Sequence, residues 1–372
     1  MAEWLIVGAG LTGVTLAEHI ARLRDEDVTI VERRPHIAGN AYDFVDEAGI
    51  CVHRYGPHLF HTNSEKVWNY VQAFAEWRPY EHKARAVIDG TEVPLPFNFN
   101  SIEAVFPPAQ AADLVRRLTE QYPNGQSVPV LTFLKADDPT LKSLANFVYE
   151  NIFKNYTLKQ WGLLPEQLSP SVTARVPIRA SRDDRYFQDT YQAMPVRGYT
   201  DMVERMLNHP RIHVALNTDS REIGPRFSAA RTIHTGSIDE FFDYRFGPLP
   251  YRSLDFRVNT LDVEWHQSVG TVNYPNQNDY TRITEFKHLT GQVSDRTTIA
   301  VEYPRAHAYG ENEPYYPIPR DDNRALHAKY KALAHDQGGV RFCGRLGDYR
   351  YYNMDQAIAA AMALFNNKIR NL

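Results

Sequence analysis

The first apolar run, Trp4-Leu5-Ile6-Val7, is short and stops on a glycine. Apolar positions then recur at helical spacing through about residues 12–24, and a second run, Val28-Thr29-Ile30-Val31, closes on Glu32. This is a strand–helix–strand opening. The helical period returns at 109–121 and 140–155, in a stretch of about 99–165 punctuated by Pro107-Pro108 and Pro123-Asn124-Gly125. From about 231 to 304 alternation and β-branched residues dominate TIHTGSIDEFF, LDFRVNTLDVEW, TVNYPN, YTRITEFKHL and TTIAVEYP, which predicts a mostly antiparallel sheet. A turn, Cys343 to Asp348, precedes a last predicted helix over about 355–370 that returns the chain to its first domain. The expected fold is α/β, with a discontinuous Rossmann-like domain (1–75, 196–240 and 319–372). Into it are inserted a helical lobe (99–170) and an antiparallel sheet lobe (76–98, 171–195 and 241–318).

Composition narrows the function classes. At 372 residues the chain exceeds one ordinary core, and 43% hydrophobic with 23% charged residues suits a soluble globular protein. A formal net charge of −4 supplies no global basic field for nucleic acid or anionic lipid. Two cysteines, Cys51 and Cys343, exclude a disulfide scaffold and point to a reducing cytoplasm. No run of 18 apolar residues predicts a membrane-spanning helix, and Glu3 stands where a signal peptide would be basic. Tyrosine is abundant, with 22 copies, a residue suited to hydrogen-bonding polar ligands through a flat apolar body.

Candidate chemistry begins with Gly8, Gly10 and Gly13, a G-x-G-x-x-G between strand and helix. Its glycines permit a tight turn and let a pyrophosphate approach the helix N-terminus. Glu32 falls where a carboxylate accepts a bond from an adenosine ribose hydroxyl. The basic loop that follows, Arg33 through Gly39-Asn40, looks like the second half of the fingerprint in FAD enzymes, with Ala38 where a glycine is usual. HRYGPHLFHT (53–62) carries three histidines in ten positions, which raises a metal reading. No cysteine or carboxylate partner falls at suitable spacing, so no metal is expected.

Beyond that fingerprint stand YGPHLFHT (55–62), NYTLKQWG (155–162), ARVPIR (174–179), DDRYFQDTYQAMPVRGYT (183–200), NYP (273–275), YTRITEFKH (280–288), VEYP (301–304), EPYYPI (313–318) and CGRLGDYRYYNMDQAI (343–358). As an ordered set they resemble the bacterial UDP-galactopyranose mutases along the whole chain. The resemblance implies isomerisation of UDP-galactopyranose to UDP-galactofuranose by reduced FAD, through a covalent flavin N5–sugar intermediate. It implies Arg175 on a mobile loop and a static Arg282 for the diphosphate, with His58 and His61 lining the flavin and steadying its reduced anion. Tyr186, Tyr316 and Tyr351 would bind phosphates, and Tyr156, Thr157, Trp161 and Asn273 the rest of the substrate. Arg33, Asn40, Arg345 and Met354 would contact FAD beside the glycines and Glu32. His53 is expected to pack.

Two departures from relatives touch the substrate: Ile152 for a phenylalanine, and Asn353 for an aspartate, which should tighten diphosphate binding mildly or shift the preferred sugar. The resemblance further implies a homodimer and an electron donor for the flavin. Alternatives are the same chemistry on dTDP-fucose or UDP-N-acetylgalactosamine, an oxidase of the amine-oxidase type, or a flavin-binding protein without catalysis.

Overall fold

The structure, a computed structural model, describes residues 4–169, 176–223 and 231–372. The chain divides into two compact units: 1–80, 189–251 and 321–372 form the first, 81–188 and 252–320 the second.

The first unit is built on a five-stranded parallel sheet in the order 212–215, 28–31, 4–7, 231–234, 340–342. Its central strand β1, Trp4–Val7, is apolar throughout because both faces are covered. The helix α1, Leu11–Arg24, follows, then strand β2, Val28–Val31. From β1 the sheet extends to β2 on one side and to strand 231–234 on the other, so the carboxyl end of β1 is a topological switch point, where such sheets bind ligands. Leu16, Ala17 and Ile20 of α1 share a core with Ala361, Phe365 and Ile369 at the C-terminal end of the chain.

The second unit carries a seven-stranded sheet in which the pairing of Thr271–Asn273 with Ala84–Ile88 is parallel and its other recorded pairings are antiparallel. Strands Ala84–Ile88 and Thr91–Leu95 share one core with helices Phe99–Val105, Pro108–Gln121 and Pro139–Val148. The helical segment and the sheet, separate lobes in the sequence reading, thus share their apolar interior.

Three stretches differ from the pattern expected. Strand Arg231–His234 joins the parallel sheet of the first unit, and Ile238–Phe241 is helical. Within YTRITEFKHL only Arg282–Glu285 is a strand; Phe286–Thr290 turns helical until Gly291, in the left-handed region at φ 73°, stops it. Helix Pro139–Val148 passes through a π-helical turn, Tyr149–Lys154, into a further helix, Asn155–Trp161. Apolar alternation is blind to which sheet a strand joins, and two-residue steps in a short run fit either period.

Candidate active site

In the first unit the turn after β1 is shaped by contacts that leave no room. A Cβ on Gly13 would lie 2.0 Å from the Gly8 carbonyl oxygen, so α1 packs down on the turn only because residue 13 has no side chain. Gly39, at φ 57°, brings the second loop against the first, where its Cβ would be 2.8 Å from the Gly10 Cα. Ala38, which replaces the usual glycine, adopts the left-handed region itself at φ 68° and bridges to Gly10.

Gly10 differs. A Cβ there meets nothing nearer than 3.8 Å, so the space above it is open within the protein. Gly10 is also the N-cap of α1 and supplies no capping side chain, which leaves first-turn N–H groups for an anion. Glu32 is buried and joins the two loops, its Oε2 accepting from Ala9 N–H and its Oε1 from Arg34 N–H, both at 2.9 Å. Each oxygen keeps a lone pair for a ribose hydroxyl. Arg34 Nη1 donates to Asn40 Oδ1 at 2.9 Å, and Arg33 pairs with Glu240 at 3.7 Å. An open anion cradle and a carboxylate with spare acceptors fit the adenosine diphosphate half of a dinucleotide.

The histidine segment lies in the same unit. His53, on strand Cys51–His53, is fully buried and accepts the His58 backbone N–H at its Nδ1, 3.0 Å away. Burial pushes its imidazole down to about 4. Asp43, Cys51 and His53 cluster with ligand atoms within 4.8 Å of one another. Both Asp43 oxygens are occupied, by the N–H groups of Tyr199 and Thr200, so the carboxylate serves the start of helix Gly198–Leu207.

His58 Nδ1 lies 2.8 Å from the Gly56 carbonyl, which accepts only, so this nitrogen carries the proton. Burial, with His53 beside it, pushes the ring down to about 3 and keeps it neutral. Nε2 then presents a lone pair and has no partner among the described residues. The sequence reading had His58 steadying a flavin anion; in this tautomer the ring offers an acceptor, the wrong polarity for that task. His61 is held differently, its Nδ1 at 2.8 Å from Asp189 Oδ2. Arg345, on the short helix Gly344–Gly347, lies near enough to His58 to disfavour its protonation.

These rings set an acid limit. Burial also pushes His234 down to about 4. Unfolded histidine titrates near pH 6.5, so the stability these residues contribute is complete above that pH. It is lost as pH falls toward 3–4, by about 1.4 kcal/mol per pH unit for each ring. Urea unfolding at pH 6 and pH 5 should therefore differ by about 4 kcal/mol; equal midpoints would show that the rings are protonated in the fold. The buried carboxyls of Asp43 and Asp348, raised by desolvation, act in the opposite sense nearer pH 4.

Tyr351, Asn353 and Met354 are also in the first unit. Met354 opens helix Met354–Leu364 and Asn353 is its N-cap, with its own N–H donating to Gln356 Oε1 at 3.0 Å.

In the second unit Arg282 opens strand Arg282–Glu285. Its Nη2 and Nε reach Glu302 Oε2 at 2.7 and 2.8 Å, and Glu302 is almost wholly buried. Thr281 Oγ1 donates to the other Glu302 oxygen at 2.9 Å. Burial alone would lower the guanidinium; the charge of Glu302, with Tyr156 and Tyr316 adding to it, holds Arg282 well above its ordinary value. Asn273 is the cross-strand partner of Arg282, and its buried Oδ1 has no partner among the described residues. Tyr156, Thr157 and Trp161 share the helix Asn155–Trp161, and Trp161 packs against Tyr316 with ring centroids 6.0 Å apart.

Tyr186 packs edge-on to His82 at 5.7 Å, and its carbonyl accepts from the buried Arg179 at 3.3 Å. Ile152 is 5% exposed and belongs to the apolar core, so its departure from phenylalanine alters packing and not an open aromatic face. Arg175 lies outside the described residues. Glu302 and Asp189, which fix an arginine and a histidine, carry no role in the sequence reading although both fall inside the quoted motifs.

A dinucleotide-binding unit joined to a unit with a half-buried arginine among tyrosines defines a Rossmann-type nucleotide-dependent enzyme. Residues 6–74 match the NAD(P)-binding Rossmann-like domain family, and residues 151–351 match a family described as UDP-galactopyranose mutase. The chain belongs to the UDP-galactopyranose mutase family. It is 39% identical, over 96% of its length and 92% of the relative's, to a Klebsiella pneumoniae protein named "Probable UDP-galactopyranose mutase". A dTDP-fucopyranose mutase of Escherichia coli is 32% identical over 100% of this chain and 99% of its own. The fold matches a crystal structure of reduced UDP-galactopyranose mutase with a TM-score of 0.73 at 15% identity, covering 98% of this chain and 93% of that one. Among the described residues no helix is long and apolar enough to cross a membrane.

Proposed function

We propose that the chain interconverts UDP-galactopyranose and UDP-galactofuranose with FAD in its reduced state. The observation that carries this reading is Arg282, a half-buried cation fixed by the buried Glu302 and set among tyrosines in the unit that does not hold the dinucleotide cradle. That is the chemistry of a diphosphate site, since a guanidinium fork matches phosphate oxygens and a pre-set donor costs no reorganisation.

Gly8, Gly10, Gly13 and Gly39 would admit the FAD pyrophosphate to the N-terminus of α1, with Glu32 on the ribose and Arg33, Asn40, Arg345 and Met354 beside it. FAD supplies, when reduced, the electron-rich nucleophile that an isomerisation without net redox change can use. Arg282, joined by Arg175, would bind the diphosphate and hold the charge it gains as the sugar–phosphate bond weakens. Tyr186, Tyr316 and Tyr351 would donate hydroxyls to phosphate oxygens. Tyr156, Thr157, Trp161 and Asn273 would orient the nucleotide and sugar. His58 would accept a hydrogen bond at Nε2, and His61, its Nδ1–H given to Asp189, would line the flavin beside it. Asn353 caps a helix whose N-terminus already favours negative charge, so Asn353→Asp should change substrate affinity only modestly. A cytoplasmic homodimer served by a cellular reductant accords with the two free cysteines and with the resemblance.

The test is to incubate purified protein with UDP-galactofuranose, with and without dithionite. Conversion to UDP-galactopyranose only in the reduced sample is expected; conversion in air coupled to oxygen uptake would sink the reading. Full-length similarity to a dTDP-fucopyranose mutase favours one second reading, the same isomerisation on a dTDP-sugar. Parallel assays of both sugars decide between them.

A further inference from the structure

Lys159 sits on the helix Asn155–Trp161, between residues assigned to the nucleotide. Its ammonium donates to three backbone carbonyls, of Tyr274, Asn278 at 2.9 Å and Tyr280 at 3.1 Å. All three lie in the loop 274–281, which joins strand Thr271–Asn273 to strand Arg282–Glu285. The three N–H donors of the amine are thereby all used. Along the same helical stripe, at spacings of four, Asn155 Nδ2 donates to Asn276 Oδ1, and Asn276 Nδ2 donates to the Asn151 carbonyl, each at 3.0 Å. Arg252 closes the end of the helix, donating to the Gln160 carbonyl at 2.9 Å and the Lys159 carbonyl at 3.1 Å.

A lysine on a helix surface ordinarily keeps its charge in water. This one is half-buried, and no carboxylate lies within ion-pair distance of it among the described residues. Desolvation pushes it down to about 8, opposed only by the more distant Asp279. A half-desolvated cation spent on loop carbonyls is costly unless the loop's position matters.

We propose that Lys159 is a positioning residue that locks the loop carrying Asn273 and Arg282 onto the helix carrying Tyr156, Thr157 and Trp161, so that base and diphosphate contacts form one pre-set surface. This rests on the reading of the second unit as the nucleotide-sugar site. The two elements lie more than a hundred residues apart in sequence, and the clamp removes the freedom that binding would otherwise have to freeze.

Asp279 from the loop is the charged group that acts on the amine; the other titratable residues of the clamp are Tyr274 and Tyr280, which meet the amine through their carbonyls, and Arg252, which bonds the end of the helix. Burial raises both phenols, so they stay protonated at pH 8.5, and arginine keeps its charge. Loss of the lysine proton removes a donor from the clamp and loosens it.

The experiment is UDP titration of the flavin-loaded full chain at pH 7.0 and 8.5, for wild type, Lys159→Met and Lys159→Arg, with flavin content and melting temperature measured alongside. Wild type should bind UDP about threefold more weakly at pH 8.5. Lys159→Met should bind at least tenfold more weakly at pH 7.0 with no further loss at 8.5, and its KM should rise more than its kcat falls. Lys159→Arg should recover part of the affinity and lose the pH step. The wild-type pH step reads the amine without mutation, so it decides the matter even where a variant melts early. A wild type that binds UDP equally at both pH values, or a Lys159→Met within twofold of it, overturns the proposal. A wild type that binds no UDP at either pH overturns the mutase reading, and this clamp with it.

Discussion

Arg282→Met is expected to reduce turnover about a thousandfold and to destabilise the second unit by about 3–5 kcal/mol. Two effects combine. The diphosphate loses its fixed guanidinium, and Glu302 is left as a charge with almost no access to water and one hydroxyl donor, Thr281. A second substitution separates them. Arg282→Met with Glu302→Gln removes the stranded charge, so the melting temperature should recover most of its loss while turnover stays at the level of the single variant. Equal melting temperatures for single and double variants would show that the pair is solvated in solution and contributes little to the fold. Activity regained in the double variant would remove Arg282 from the diphosphate site.

The second large effect is a contrast between two glycines three residues apart. Gly13→Ala drives a Cβ to 2.0 Å from the Gly8 oxygen, a backbone atom that has nowhere to go. The expected result is a loss of about 3 kcal/mol or more, with little folded protein at 37 °C. Gly10→Ala meets only open space in the protein, so its apoprotein should melt within about 2 °C of wild type. It should nevertheless lose flavin affinity by at least a hundredfold, because the methyl occupies the position where a pyrophosphate approaches the helix N-terminus. Flavin absorbance after gel filtration, beside a melt of the apoprotein, reads both. A Gly10→Ala protein that retains stoichiometric flavin would place the cofactor elsewhere.

The dinucleotide cradle was legible in the sequence because its signals are local. Gly8, Gly10, Gly13 and Glu32 act within one strand–helix–strand unit, and their spacing alone dictates what they can do. The groups that fix the other residues were not legible, since each is made across the chain. Asp189 meets His61 from 128 residues away, and Asn278 meets Lys159 from 119. Nothing in NYTLKQWG marks its lysine as a clamp; only the carbonyls converging on it do. Glu302 is closer to Arg282, 20 residues, but its task depends on strand pairing that brings the two opposite each other. The tautomer of His58 is a further example. Three histidines in ten positions raise a metal reading, and only the Gly56 carbonyl shows which nitrogen of His58 bears the proton. The parallel pairing of 231–234 escapes the sequence for the same reason, because a run of alternating residues carries no information about the direction of its neighbours.

The order of segments in the first unit also bears on how the chain is made. The apolar face of α1 waits for Ala361, Phe365 and Ile369, and the sheet waits for its edge strand Val340–Phe342, so this unit cannot close its core until residue 369 has left the ribosome. At about 5–20 residues per second that is on the order of half a minute after its first strand emerges. The second unit ends by residue 320 and can complete its core earlier. The dinucleotide cradle thereby gains its full support only once the far end of the chain has been made, and any chain cut short before residue 361 displays a helix face built for burial.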